Sequence, residues 1–201
     1  MPLIAASPSV HIINEAIGYL CTVIWSIGFI PRNYEVYRLK SGDGVSIDYV
    51  ILNLVGFIFY NNYIWYGYFS NASFHDQVHI SDLIYTAYSL VMEFLLLGLV
   101  LYYPRRKNRV HCYLFLLSAS IFVVGIGSGL FLSIEAWYSF QGQLKVATVV
   151  LRYSPQIYLN CLRKATVGWN IHSIILDLIG GTLSIVQIFL DWATCDKEGF
   201  F

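Results

Sequence analysis

The sequence predicts an all-α integral membrane protein built from two parallel three-helix repeats joined by a linker helix. Three observations point there. Of 201 residues, 57% are hydrophobic and 12% charged, with zero formal net charge, which fits neither a solvated globule nor a nucleic-acid binder. Six apolar stretches are long enough to cross a hydrocarbon core of roughly 30 Å as helices. A shift of 124 residues lays one half of the chain over the other.

The predicted spans run over residues 13–31, 47–69, 80–103, 110–132, 138–161 and 171–192. The first has no basic residue ahead of it and no clear small-residue cleavage site after it, so it is expected to remain as a helix rather than be removed. The four cysteines, Cys21, Cys112, Cys161 and Cys195, form no C-x-x-C pair and signal neither a disulfide framework nor a zinc site.

Lysine and arginine in short loops orient the chain. Arg38 and Lys40 follow the first span, Arg105, Arg106, Lys107 and Arg109 the third, and Arg163 and Lys164 the fifth, so these loops are expected on the cytosolic side. The amino terminus and the loops SNASFHDQVHIS and Ser133 to Gln143 carry neither residue and are expected on the lumenal side. The single Asn-x-Ser/Thr triplet, at Asn71, falls in that set and makes Asn71 a glycosylation acceptor.

In the repeat, Pro31 meets Pro155, Tyr34 meets Tyr158, Lys40 meets Lys164, Gly44 meets Gly168 and Asn53 meets Asp177. Each copy reads as a proline-interrupted helix, a basic turn with glycine, and a helix with a central polar residue. An odd-numbered unit repeats in parallel only across one extra helix, which residues 110–132 supply. The domains expected are therefore 1–104 as the first three-helix bundle, 105–135 as the linker and 136–201 as a second bundle with six of seven spans present. The counterpart of residues 80–103 would fall after Phe201.

Chemistry concentrates at a few intramembrane positions. A proline within a span frees a carbonyl that a neighbouring helix or cavity water must satisfy, which makes Pro31 and Pro155, with Gln156 beside it, hinge candidates. Asp177 sits mid-span, where an ionised carboxylate costs at least about 2.5 kcal/mol. It is expected to face a cavity and take up a proton, on a stripe with Ser173, Gly180, Gly181 and Ser184. Its repeat mate Asn53 shares a face with Gly56, Phe57 and Tyr60. Lys145, Arg152 and Asn160 recur along one stripe of the fifth span; Lys145 suits an anionic group, whereas Arg152 can reach an interface by snorkelling. Glu93 has no local counterion and admits a proton path or a bundle contact. His75 and His79 stand four apart beside Asp76 and Asp82, but in a polar loop this spacing is read as a solvated segment rather than a zinc site. Neither a catalytic triad nor a phosphate loop is visible, so neither an enzyme nor a cofactor is expected.

The stretches WSIGFIPRNYEVYRLKSGDGVSIDYVILNLVGF and RYSPQIYLNCLRKATVGWNIHSIILDLIGG closely resemble the two PQ-loop motifs of the cystinosin family, lysosomal proton-coupled exporters of cystine. The resemblance implies the PQ-loop fold and L-cystine and protons as partners in a lysosomal bilayer, with alternating access and no nucleic acid. It also implies Trp25, Phe29, Asn53, Phe57, Lys145, Tyr153, Asn160 and Asp177 as substrate-binding residues, with Asp177 as the proton-coupling acid. The chain departs from the family pattern at Arg32, which stands for glutamine, and at Ser173, which stands for asparagine. The family's long amino-terminal region and seventh helix have no counterpart within residues 1–201, and a chain truncated before the seventh helix is the expectation. Alternatives are a carrier of another amino acid or small solute, and a non-transporting truncated or receptor-like protein that associates with itself or another chain through its incomplete second bundle.

Overall fold

A computed structural model describes residues 8–70, 78, 80–105 and 112–194. It is all-helical there: α1 (Pro8–Leu39), α2 (Ile47–Ser70), α3 (Ile80–Tyr102), α4 (Cys112–Gly127), a single 3₁₀ turn (Ser128–Leu130), α5 (Ile134–Arg163) and α6 (Ile171–Thr194). The helix expected to close at Pro31 continues eight residues further, to Leu39, whereas α5 runs through Pro155 to Arg163, close to the end expected for the fifth span. Neither proline terminates its helix. The fourth span is shorter than expected, because the chain tightens into the 3₁₀ turn after Gly127.

By length and composition α1, α3 and α6 are apolar enough to cross a membrane. Helices α2 and α5 fall short because they carry amides, tyrosines and cations, some of which meet between the two helices, Arg152 on Asn53 and Lys145 over Phe57. In lipid such groups belong inside the protein. Several serines and threonines elsewhere are satisfied within their own helices: Ser89 donates to the Tyr85 carbonyl, Thr86 to that of Leu83 and Ser118 to that of Leu114.

The chain divides into two compact units, one formed by residues up to Ile30 with those from Ile171, the other by Pro31–Asn170. In the larger unit α2 packs against α3, α4 and α5. Val36, Val45, Ile47, Tyr49, Val50, Leu96 and Val100 form its apolar core. Ser46 caps α2, its hydroxyl accepting from the Tyr49 N–H at 3.4 Å. Gly125 lets α4 approach closely: a Cβ there would meet the Phe59 ring, and the Gly125 carbonyl accepts from the Trp137 indole at 2.8 Å.

The smaller unit pairs the first part of α1 with α6 through small residues, as expected where packing rather than water exclusion drives helix association. A Cβ on Gly180 would strike the Trp25 indole, and one on Gly18 would stand 3.0 Å from the Gln187 amide nitrogen. Cys21, buried, donates from Sγ to the Gly180 carbonyl at 3.8 Å.

The internal repeat reappears in the backbone. Lys40 and Lys164, 124 apart, both take left-handed backbone (φ 48° and 50°) where α1 and α5 end, a helix-ending conformation unusual for lysine.

Candidate functional site

Within the larger unit α5 presents a polar stripe to α2. Gln156 fastens the loop ahead of α2: its Oε1 accepts from the Ser46 N–H at 2.7 Å, and its Nε2 donates to the Gly44 carbonyl and to Asn160 Oδ1, each at 3.0 Å. One turn earlier Arg152 donates to Asn53 Oδ1 at 2.5 Å and to the Tyr153 hydroxyl at 2.9 Å. Its guanidinium lies over the Tyr49 and Tyr153 rings at 5.8 and 4.8 Å. Arg152 does not snorkel. It is partly buried because Asn53, itself 1% exposed, offers a strong acceptor inside the bundle.

Further towards the α5 amino terminus, the Lys145 ammonium stands 3.3 Å from the Phe57 ring centroid and 5.9 Å from that of Tyr60, a cation–π arrangement. Gly56 makes this approach possible, since a Cβ there would strike the Thr148 hydroxyl and stand 3.3 Å from the Lys145 stem. The candidate residues on α5 therefore form successive clusters. Lys145 and Asn160, fifteen residues apart, are separated by about 22 Å along the helix, so a single small ligand does not reach both.

In the smaller unit Asp177 is partly buried, and its Oδ1 would be 3.6 Å from a Cβ on Gly28. Trp25 lies over Gly180, one turn along α6, so Trp25 and Asp177 share this surface. Phe29 and Ser173 are each 5% exposed, and the Ser173 hydroxyl has no hydrogen-bond partner among the described residues. The candidate substrate-binding residues thus fall into Trp25, Phe29 and Asp177 on one unit and Asn53, Phe57, Lys145, Tyr153 and Asn160 on the other. Asn71 lies outside the described residues.

Two features escaped sequence reasoning. Arg32, at the repeat position of Gln156, donates to the Tyr49 hydroxyl and forms a buried ion pair with Glu93 at 3.4 Å, the side chains 6% and 0% exposed. That pair supplies the counterion Glu93 lacks in its own helix. Arg152 was legible as a cation on the stripe of Lys145, but its partner Asn53 lies 99 residues away.

Helices that bury amides and cations on facing surfaces, and a loop fastened by the glutamine after a helical proline, mark a membrane protein of repeated helical bundles. The PQ loop repeat matches residues 13–73 and 137–192, and the chain belongs to the PQ-loop repeat family. Within it the sequence is similar to cystinosin of Bos taurus, 31% identical across 94% of this chain and 55% of that protein. It is also similar to cystinosin of Drosophila melanogaster, at 29% across 87% and 48%. The cystine transporter of Saccharomyces cerevisiae is 24% identical across 94% of this chain and 82% of its own length. The chain spans about half the length of the two cystinosins.

Proposed function

We propose that this chain serves proton-coupled export of cystine from the lysosome lumen to the cytosol by alternating access. The observation that carries the reading is the buried polar face of α5 against α2, with Lys145 over Phe57 and Arg152 on Asn53. Such groups are costly in a bilayer unless they serve a ligand or one another. The similarity to proteins named cystinosin and cystine transporter supports cystine as that ligand.

In this reading Asn53, Phe57, Lys145 and Tyr153 contact substrate, Trp25 and Phe29 supply aromatic surface, and Asp177 carries the coupled proton. Asn160 acts through Gln156, whose amide it orients. Pro31 and Pro155 are the hinges, with residues 1–104 and 136–201 as the two repeats and 105–135 as the link. The amino terminus is lumenal and Asn71 carries a glycan. The test is uptake of labelled cystine by proteoliposomes holding the purified chain, with cystine on the acidic side. Saturable flux that collapses with the proton gradient supports the proposal; absence of cystine flux and binding overturns it.

A further inference from the structure

Gln141, Lys145, Thr148, Arg152 and Gln156 recur at steps of four, three, four and four along α5, so they share one helical stripe. Towards the carboxyl end of that stripe the polar groups find partners in the protein. Gln156 holds Ser46 and Gly44, Arg152 holds Asn53 and Tyr153, and Thr148 donates to the Lys145 carbonyl at 2.8 Å. Gln141 differs. It is fully buried, and among the described residues neither its Oε1 nor its Nε2 has a hydrogen-bond partner. A buried amide with both ends open is rare in native structures and calls for a cause.

Its surroundings supply one. Gly142, the next residue, lies against Tyr63, whose ring would be 3.3 Å from a Cβ there. Tyr138, one turn earlier, stacks on Tyr66 with centroids 3.9 Å apart. One turn later comes Lys145, with its ammonium over Phe57. Gln141 and Lys145, four residues apart on one face, are neighbours between aromatic walls. An amide offers donors and an acceptor together without adding charge, and the lysine adds one positive charge. That set matches a group carrying a carboxylate and an ammonium on one carbon.

We infer that Gln141 and Lys145 together hold one α-amino-acid headgroup of the substrate, the carboxylate between the Lys145 ammonium and the Gln141 N–H groups, the α-ammonium on Gln141 Oε1. The inference rests on the transport reading above and deepens it, adding a specificity residue outside the set that the sequence singled out. A residue of this kind opposes stability in the empty protein and repays it only when ligand binds. A structural amide does the reverse.

The experiment compares the purified full chain with Gln141→Leu and Gln141→Met, measuring the thermal midpoint without ligand and the affinities for cystine, for cystamine, which keeps the disulfide and amines but lacks carboxylates, and for methionine, a zwitterion without a disulfide. The expected result is a midpoint no lower than that of the parent, cystine affinity weakened at least ten-fold, and cystamine affinity weakened by a smaller factor, because cystamine loses only the ammonium contact with Oε1. If both variants melt lower or fail to fold, the amide is structural and the assignment falls, while cystine binding by the parent still stands. Cystine affinity within two-fold of the parent also overturns it. If the parent binds methionine but not cystine and Gln141→Leu loses it, the cystine reading falls and the headgroup assignment holds; if the parent binds neither, both fall.

Discussion

Gly44 and Gly168, 124 residues apart and equivalent in the internal repeat, lie backbone against backbone: a Cβ on Gly44 would stand 2.6 Å from the Gly168 carbonyl carbon, and one on Gly168 2.6 Å from the Gly44 Cα. The two repeat loops thus meet at their own glycines, and Gln156 of the second copy holds the loop of the first through Gly44 and Ser46.

Gly44→Ala is expected to destabilise the larger unit by about 1–3 kcal/mol, the usual cost of forcing an extra carbon into a closed contact. Gly168→Ala is expected to cost more, since its φ of 88° adds backbone strain. Thermal unfolding in detergent checks this, with Gly98→Ala as the control, because nothing lies within 4 Å of a Cβ there.

The Arg32–Glu93 pair gives a second prediction. Removing one partner of a buried pair is strongly destabilising, about 3–5 kcal/mol, whereas removing both costs far less. Glu93→Gln and Arg32→Gln are each therefore expected to unfold far more readily than the parent, and the double variant to recover most of the loss. A double-mutant cycle on thermal midpoints reads the coupling; additive effects would contradict it.

Arg152 bridges Asn53 and the Tyr153 hydroxyl through separate nitrogens of one planar group. Lysine cannot reproduce that fork. Arg152→Lys is expected to lower cystine flux at least ten-fold while the protein still folds, and Asn53→Leu to do the same. Flux at the parent's level in Arg152→Lys would show that the bridge does not shape the substrate contacts.

Much of the architecture was legible because it is written in residues with positional meaning. Pro31 and Pro155, Lys40 and Lys164, and Gly44 and Gly168 announce the repeat by spacing alone, and both lysines take the same left-handed backbone. Pro31 was readable as a position but not as a helix interior, because the residues after it keep helical propensity, whereas the span over 138–161 already held Pro155 inside its helix. The partnerships were not legible. Glu93 looked uncompensated because Arg32 is 61 residues away, and Arg152 read as a cation that could snorkel because Asn53 is 99 residues away. Gln141 gave no signal at all, since an amide among aromatic residues becomes conspicuous only when its two ends are seen to lack partners.

The central claim is that Asp177 carries the proton that drives cystine across the membrane. The most direct test reconstitutes the full chain and its Asp177→Asn variant in proteoliposomes and measures labelled cystine flux with and without a pH gradient. The parent is expected to accumulate cystine on the neutral side only while the gradient lasts. Asp177→Asn keeps the shape and a hydrogen-bonding amide but cannot exchange a proton, so its flux is expected to be indifferent to the gradient and to stop at equilibration. Gradient-driven accumulation by Asp177→Asn would contradict the account.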